Sequence, residues 1–325
     1  MATIKDISKE TGLSVGTVSR IFNNRGYISS EAKEKVRIAM KKLNYQPNAV
    51  ARSLSKSTTN IIALIVPHLN HPFFSQLTEA IEDAVVKRGY NLMVFRSRGD
   101  EAIEREMIQK CHENRVCGLI LCSGRFSTLN LSNNDFAVVA IERMPDKANF
   151  SIQSNNYEGG KIATSLLIQK GCKHLLHLAG IRGRKMPADD REKGFNDECD
   201  KNNIDHVSSS YSDAVYEKLN YIKYIEQTLD KYPLTDGIFA SSDMIAAQVL
   251  QVCGKRGIKV PEEMKIVGFD DTVIASCTTP PLTTIHQPIT EMAVMAVSAL
   301  ISIKEGSSTK GTLTMDVRLI ERGTT

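Results

Sequence analysis

The chain has 325 residues, of which 42% are hydrophobic and 24% charged, and its formal net charge is +4 at pH 7. This length allows two or three domains with buried cores. No apolar run approaches the length of a membrane span and the first residues lack a signal-peptide core, so we expect a cytoplasmic protein that does not enter a membrane. The seven cysteines include no Cys-x-x-Cys pair and are expected to be reduced packing residues.

Two short helices are predicted in the first 23 residues. Thr3, followed by Asp6, and Ser14 are residue types that cap helix N-termini, and Gly12 makes the turn between the helices. The positions that do not share the small core face outward, and they are Val15, Gly16, Thr17, Ser19, Arg20 and Asn23. Small residues let the backbone approach base edges, and an arginine can bind guanine through two hydrogen bonds. The pattern therefore predicts a DNA-recognition helix, with Thr3 and Ser14 among the DNA contacts.

Positive charge is concentrated in this part of the chain. Residues 1–60 hold 11 Lys and Arg against 4 Asp and Glu, a net charge of +7, while the remaining residues hold 30 against 33, a net charge of −3. Positive charge by itself could belong to a solvated surface. Here the charge surrounds a helix-turn-helix pattern, which favours contacts with DNA phosphates. A third helix from residue 29 completes an all-α three-helix head over residues 1–45.

Residues 46–59 connect this head to the rest of the chain. Pro47 and Asn48 can start a helix of about two turns, which is too short to persist alone in water. A flexible tether is the simplest interpretation, but an apolar stripe beside Arg52 is unusual for a spacer. The stripe consists of Ala49, Val50, Ala51 and Leu54.

From residue 61 the pattern changes to buried strands that alternate with amphipathic helices. Strands are predicted at 61–66, 91–95, 117–122, 136–141, 174–179, 237–240 and 265–269. Helices are predicted at 74–88, 101–113, 159–170, 191–202, 216–230, 244–256 and 291–303. This alternation predicts a two-lobed α/β core of parallel, doubly wound sheets. Ligands of such folds bind beyond the carboxyl ends of the strands, so a cleft between the lobes is expected to hold one.

Polar and aromatic side chains follow several of these strands. His71, Phe73 and Phe74 come after the first strand, Arg191 opens a helix of the second lobe, and Asp270 ends a later strand. Side chains at the carboxyl ends of strands are the ones expected to line the cleft.

The residues Thr-Val-Ser-Arg at 17–20, so close to the start and followed by Asn23, resemble the lactose-repressor (LacI/GalR) family of bacterial transcription regulators. The resemblance covers essentially the whole chain and implies a core like that of periplasmic binding proteins. It also implies that residues 46–59 form a hinge helix that orders on operator DNA and inserts Leu54 into the minor groove. DNA contacts are then expected from Asn48, Ala51 and Arg52.

The same resemblance implies a set of effector contacts. Arg191 and Asp270 match the family's ligand-binding arginine and aspartate. A guanidinium group and a carboxylate that face each other across a cleft suit a polyhydroxylated sugar, because adjacent hydroxyls can donate to one and accept from the other; an ion pair between the lobes is the alternative interpretation. Residues 70–74 are similar to the family's Asn-Pro-Phe-Phe loop, with His71 inserted. Tyr211 matches an aromatic residue that lies against the ligand, and Ser242 stands where many members carry asparagine.

A basic loop at 181–190 adds Lys185 to the expected effector contacts. Together with Arg182 and Arg184, it leaves a phosphorylated or acidic effector open as an alternative to a neutral sugar, although solvated loop charge is the simpler interpretation of these residues.

Domain boundaries follow from the crossover segments that the family resemblance identifies. The first lobe is expected at about 60–156 and 287–318, and the second at about 157–286 and 319–325. The end of the chain lacks a heptad-rich tail, so we expect a homodimer that reads a near-palindromic operator.

These features predict a DNA-binding regulator, a repressor of carbohydrate genes, whose operator affinity is modulated by a sugar-like effector. Two alternatives stay open: control by a phosphocarrier partner protein, and control by a non-sugar ligand. An enzyme is the rival class, but the sequence contains no Gly-rich phosphate loop or nucleophile elbow. His68 and His71 have no acidic or cysteine partner nearby, so neither a metal site nor a cofactor is expected.

Overall fold

The structure is a computed structural model that describes residues 2–22, 26–45, 59–122, 136–143, 148–181 and 186–325. The chain divides into two compact units, Met1–Thr58 and Thr59–Thr325. Several residues with predicted roles lie outside the described residues, namely Asn23, Asn48, Ala51, Arg52, Leu54 and Lys185. In the part of the chain that is described, no helix is long and apolar enough to span a bilayer.

The first unit contains three helices: α1 (Ile4–Thr11), α2 (Val15–Phe22) and α3 (Ser30–Lys42). Its caps are those predicted, since the Asp6 carboxylate accepts a hydrogen bond from the backbone N of Thr3 at 2.8 Å. Ser14 Oγ accepts one from the backbone N of Thr17 at 3.1 Å. The helices enclose a buried core of Ile7, Val18, Val36 and Ala39. The predicted three-helix head is confirmed.

The second unit alternates strands with helices. Its strands are β1 (Ile61–Val66), β2 (Asn91–Arg96), β3 (Gly118–Leu121), β4 (Ala137–Ile141), β5 (Phe150–Ser154), β6 (His174–Ile181), β7 (Asp205–Tyr211), β8 (Gly237–Ala240), β9 (Lys265–Asp270), β10 (Thr283–His286), β11 (Gly311–Met315) and β12 (Arg318–Ile320). Its helices are α4 (Pro72–Val86), α5 (Glu101–Glu113), α6 (Asn156–Gln169), α7 (Asp190–Asn202), α8 (Asp213–Lys218), α9 (Ile222–Lys231), α10 (Asp243–Arg256), α11 (Val273–Cys277) and α12 (Ile289–Lys304).

The described strands form two six-stranded sheets, one in each lobe. Their orders are β11-β5-β4-β3-β1-β2 and β12-β10-β9-β8-β6-β7. Neighbouring strands are parallel except at one edge, where β12 runs antiparallel to β10. The chain passes from the first sheet to the second after β5, returns after β10, and crosses again between β11 and β12. The predicted two-lobed α/β core is therefore confirmed.

Each lobe has its own apolar core. In the first lobe, β1 is buried along almost its whole length and packs against α4 and α12. Strands buried on both faces are expected where helices cover both sides of a parallel sheet. Six of the seven cysteines are buried and unpaired, in agreement with a packing role, while Cys277 is exposed.

Several elements of the core differ from the prediction: one predicted helix is divided in two, and strands β5, β7, β10, β11 and β12 are absent from the predicted strands. The single helix predicted at 216–230 is wrong, because α8 ends and α9 begins within that range. Leu219 has a φ of 51°, and the Gln248 side chain satisfies the interrupted backbone by donating to the O of Leu219 and accepting from the N of Tyr221. Strand β7 is absent from the predicted strands because its sequence is polar, which suits its place at the edge of the sheet.

Helices α6 and α7 approach so closely that they meet through glycine. A Cβ added at Gly160 would overlap the carbonyl oxygen of Arg191, and one added at Gly194 would overlap that of Tyr157. Neither oxygen can move without distorting its helix. This contact fixes the position of the residue at the start of α7, Arg191, relative to α6.

Gly194→Ala is therefore expected to lower the free energy of unfolding of the second unit by about 2 kcal/mol, because overpacking outweighs the gain in helix propensity. Gly254→Ala is the matched control, since Gly254 lies in α10 with open space around it. This control should raise stability by about 0.5–1 kcal/mol. Calorimetric unfolding of both variants checks the prediction, and a Gly194→Ala protein as stable as Gly254→Ala would contradict it.

Candidate ligand-binding site

A cavity of about 100 Å³ lies where the carboxyl ends of the strands of both lobes face each other. The sequence-predicted residues that line it are His71, Phe73, Phe74, Arg191, Tyr211, Ser242 and Asp270. The lining also includes residues without a predicted role, among them Glu142, Arg143, Tyr216, Tyr221 and Gln287. The structure thus brings seven of the eight predicted effector contacts to one place, and the eighth, Lys185, lies outside the described residues.

Arg191 is the buried cation of this cavity, with only 6% of its surface exposed. Its guanidinium carbon lies 3.6 Å from the centre of the Phe269 ring. Its Nε donates to Oδ1 of Asn156 at 2.7 Å, and its Nη1 donates to the backbone O of Ser241 at 2.6 Å. No other hydrogen bond of the guanidinium group to a described residue is seen, so its remaining N–H groups can serve a ligand at the cavity wall.

Asp270 is the acceptor that faces this cation. Its Oδ1 lies 4.0 Å from Nη1 of Arg191 and accepts a hydrogen bond from Nε2 of Gln287 at 2.6 Å. Burial raises the pKa of the Asp270 carboxyl well above its ordinary value, while the charge of Arg191 opposes this shift. The φ of Asp270 is 116°, a strained conformation for a residue other than glycine, and such strain is common where a side chain is aimed at a ligand.

The next residue, Asp271, is engaged elsewhere. It accepts hydrogen bonds from Nη2 of Arg322 at 2.7 Å and from Nδ1 of His286 at 2.9 Å. Burial raises its pKa, but these two partners outweigh that effect and hold the pKa below its usual value. Of the two adjacent carboxylates, Asp270 alone therefore lines the cavity.

Asp243, at the start of α10, supports the loop that carries these aspartates. Its carboxylate is fully buried and accepts hydrogen bonds from the backbone N and the hydroxyl of Thr272, at 2.7 and 3.0 Å. The hydroxyl of Thr284 donates to its other oxygen at 2.6 Å. Burial nevertheless raises the pKa of Asp243 to about 6.

This raised pKa predicts a pH dependence of stability. An unfolded aspartate has a pKa of about 3.9, so the folded state holds the proton more tightly. The stability that Asp243 contributes is complete below about pH 3.9 and is lost as the pH rises through about 6. The free energy of unfolding is measured for the wild type and for Asp243→Asn at each pH. The wild-type value minus the variant value should fall by about 3 kcal/mol between about pH 3.5 and pH 7. A difference that stays constant across this range would contradict the assignment.

The wall contributed by the first lobe is aromatic. His71 caps α4, its ring lies 5.4 Å from that of Phe74, and Phe73 packs edge-on against Phe74 at 5.2 Å. Burial lowers the pKa of His71 to about 3, so the ring is neutral near pH 7. Among the described residues its buried Nδ1 has no hydrogen-bond partner, which is uncommon for a polar atom in a protein interior.

Side chains of the second lobe close the opposite wall. Tyr211 and Tyr221 contact each other edge-to-face at 4.9 Å, and both line the cavity with Tyr216. Ser242 caps α10, since its hydroxyl oxygen accepts from the backbone N of Ile245 at 3.3 Å. Flat apolar faces beside a few fixed polar groups are the usual surroundings of a bound sugar-sized molecule.

Sequence reasoning missed a buried group of polar residues behind Arg191. Glu142, at the end of β4, accepts hydrogen bonds from the backbone N of Ser154 at 2.5 Å and from Nδ2 of Asn156 at 3.0 Å. Glu142 also has a φ of 51°, which is uncommon outside glycine. The signal in the sequence is weak, because Glu142 directly follows a buried strand but its partners lie 12 and 14 residues further along the chain.

The predicted DNA-binding residues belong to the first unit. Val15 is 42% exposed and Gly16 and Arg20 are exposed along α2. Thr17 and Ser19 are half-buried on the same helix, while Thr3 and Ser14 cap α1 and α2. An exposed face with small residues at its start and one arginine further along has the chemistry required to enter a major groove.

Two parts of the chain match known family profiles. Residues 3–48 match the bacterial regulatory proteins of the lacI family, and residues 164–325 match the periplasmic binding protein-like domain. The ribose operon repressor of Bacillus subtilis (strain 168) is 35% identical over 331 residues, which cover 100% of this chain and 99% of that protein.

Solved structures agree with this similarity. A periplasmic binding protein/LacI transcriptional regulator from Alkaliphilus metalliredigens QYMF, complexed with D-xylulofuranose, is 32% identical with a TM-score of 0.71, over 82% of this chain and 99% of that one. The lac repressor dimer bound to operator has a TM-score of 0.88 at 24% identity, over 99% of this chain and 98% of that one. At that identity, the second likeness concerns the fold alone.

Proposed function

The chain belongs to the LacI family of bacterial regulatory proteins, and on this basis we propose that it is a cytoplasmic, homodimeric repressor of carbohydrate genes that responds to a free monosaccharide. The observation that carries the effector assignment is the pairing of Arg191 with Asp270, 4.0 Å apart, inside a small aromatic cavity. The repressor assignment is supported by the lacI-type head and by a relative named as a ribose operon repressor.

The size of the cavity favours one sugar ring. Ligand pockets usually measure roughly 300–1,000 Å³, whereas this one measures about 100 Å³. A disaccharide would require a larger separation of the lobes than a pentose or a similar monosaccharide, so the small volume favours the single ring. The likeness to a regulator complexed with D-xylulofuranose supports a ligand of this size.

The charges favour a neutral ligand over a phosphorylated one. The described lining residues carry two guanidinium groups, on Arg191 and Arg143, and two carboxyl groups, on Asp270 and Glu142. The neutral ring of His71 adds no positive charge near pH 7. Among the described lining residues the guanidinium groups do not outnumber the carboxyl groups, so a buried phosphate would recover less of its desolvation cost than in a site lined by basic residues alone.

DNA reading is assigned to the exposed face of α2. Val15, Gly16 and Arg20 enter the major groove, Thr17 and Ser19 contact the backbone, and two heads of a dimer read the halves of a palindrome. Effector binding changes the closure of the lobes and thereby the operator affinity, with a coupling free energy of roughly 1–3 kcal/mol. This is a binding function, and the polar groups that surround the cavity serve recognition and positioning.

A thermal-shift panel tests the effector proposal. D-ribose, D-xylulose, D-glucose, ribose 5-phosphate, sucrose and cellobiose are added separately to the intact protein. We expect at least one free monosaccharide to raise the unfolding temperature, because a ligand at 100 times its Kd stabilises by about 2.7 kcal/mol. The disaccharides and the phosphate ester should have no such effect. Stabilisation by these alone, or by none of the sugars, would refute the proposal.

A further inference from the structure

The Arg191 side chain is held by an asparagine to which neither the sequence nor the family resemblance gives a role. Asn156 is the first residue of α6, directly after the crossover from the first lobe to the second, and it is 97% buried, with 3% of its surface exposed. Its Oδ1 accepts the Nε–H of Arg191 at 2.7 Å. Within the described parts of the chain, this bond and the one that Nη1 donates to the Ser241 carbonyl orient the guanidinium group.

The amide nitrogen of Asn156 points the other way, towards the first lobe. Its Nδ2 donates to Oε2 of Glu142 at 3.0 Å and to the backbone O of Ser154 at 3.1 Å. Glu142 also accepts the backbone N–H of Ser154, so the crossover is tied to β4 of the first lobe. One side chain thus joins a carboxylate of the first lobe to the ligand-facing cation of the second.

The second crossover, after β10, is joined to the same network. The Ser154 hydroxyl donates to Oε1 of Gln287 at 2.6 Å, and Nε2 of Gln287 donates to Oδ1 of Asp270 at 2.6 Å. Ser154 and Gln287 are each 1% exposed. Hydrogen bonds therefore connect Arg191, through both crossovers, to the Asp270 carboxyl group that lines the cavity with it.

We propose that Asn156 is a positioning residue for effector recognition, which holds Arg191 in its ligand-binding orientation by anchoring it to Glu142 across the lobe crossover. Asn156 does not line the cavity, so it acts through Arg191 and not by touching the ligand. The role in recognition rests on the proposed function of the cavity, whereas the anchoring of Arg191 can be measured without any ligand.

The chemistry of the site explains why an amide occupies this position. The group must accept from a guanidinium on one side and donate to a carboxylate on the other, and a carboxamide does both without adding a charge. An aspartate would accept from Arg191 but would place a second anion against Glu142. An alanine would leave the Nε–H of Arg191 without an acceptor in a buried place, where an unmade bond is costly.

The test first observes Arg191 in the free, intact protein. After 15N-arginine labelling, the Nε–H signal of Arg191 is assigned by its loss in Arg191→Lys, and its exchange with solvent is measured. In Asn156→Ala this exchange should be at least about tenfold faster, because the proton has lost its acceptor. Asn156→Asp should retain slow exchange even where its stability falls, since it keeps the acceptor oxygen. If Asn156→Ala does not fold, Asn156→Ser supplies the truncated side chain.

Asn155→Ala is the matched control, since the Asn155 side chain caps α6 by accepting from the backbone N of Glu158 at 3.2 Å. In Asn155→Ala the Nε–H proton of Arg191 should exchange with solvent at the wild-type rate. The proposal is overturned if Asn156→Ala leaves the exchange unchanged, or if Asn155→Ala or Asn156→Asp accelerates it as much as Asn156→Ala does.

A second measurement tests the link to recognition, with D-ribose as the probe in calorimetric titrations. Asn156→Ala should bind D-ribose at least about tenfold more weakly than the wild type, and Asn156→Asp should lie between the two. Equal affinities of Asn156→Ala and the wild type would overturn the role in recognition. If the wild type does not bind D-ribose, the effector proposal loses this sugar, and the exchange experiment still decides whether Asn156 anchors Arg191.

Discussion

Arg191→Ala is expected to abolish the response to the effector. Arg191 presents its remaining N–H groups to the cavity from a fully packed position, and hydrogen bonds to a charged group contribute about 1.5–3 kcal/mol each. Loss of two such bonds predicts a decrease in monosaccharide affinity of at least about 100-fold. Operator affinity measured with and without the sugar should then give a ratio close to one.

Two further variants separate recognition from charge and from stability. Arg191→Lys keeps the positive charge but lacks the planar guanidinium group with its several N–H donors, so it should retain only part of the monosaccharide affinity. Arg256→Ala removes an arginine of the same lobe that pairs with Asp230 at 2.9 Å, away from the cavity, and should bind the sugar as the wild type does. Wild-type affinity in Arg191→Ala would remove Arg191 from the site.

The second large effect is expected at the head, where Arg20→Ala should remove discrimination between operator and random DNA. An arginine that makes two hydrogen bonds to one guanine contributes about 1–3 kcal/mol. A dimer bound to a palindrome makes this contact twice. The operator should therefore be bound about 30-fold to 20,000-fold more weakly, as roughly 2–6 kcal/mol implies. Random DNA should lose only the effect of one positive charge per head. Competitive binding to the two duplexes measures the difference.

Lys41→Ala is the control for charge, because Lys41 is an exposed basic residue in the last turn of α3. It removes the same charge as Arg20→Ala and should weaken both duplexes to a similar extent. A loss of equal size on operator and random DNA in Arg20→Ala would show that Arg20 contacts phosphates and does not read bases.

Features set by neighbouring residues could be predicted from the sequence. The caps at Thr3 and Ser14 depend on residues three positions away, and the continuous apolar run of β1 identifies a buried strand wherever it lies in the fold. The break between α8 and α9 depends on Gln248, which is 27 and 29 residues from its two partners. No local pattern contains that information.

In the site too, residues in local motifs could be predicted, whereas contacts between distant residues could not. Arg191 and Asp270 could be identified because each stands in a recognisable local motif at the end of a strand or the start of a helix. The residues that orient them could not, because the bonds join Arg191 to a residue 35 positions away and Ser154 to one 133 positions away. Such pairs become neighbours only when both lobes and both crossovers have formed.

The buried network also indicates how a signal could leave the cavity. Ligand-facing charges in one lobe are hydrogen-bonded to both crossovers, so a change in their positions also changes the favoured angle between the lobes. A ligand can shift this equilibrium only by the difference between its affinities for the two arrangements. We therefore expect the effector to act on the balance between open and closed lobes.

The most direct test of effector-controlled operator binding is an equilibrium titration of the intact dimer. The protein is titrated against a palindromic duplex selected from genomic fragments and against a random duplex of equal length, each with and without D-ribose or another monosaccharide that raises the unfolding temperature. The predicted result is a preference for the palindrome of at least about 1,000-fold, which the sugar changes while binding to random DNA stays the same. Equal affinity for both duplexes, or a palindrome affinity that no monosaccharide alters, would contradict the account.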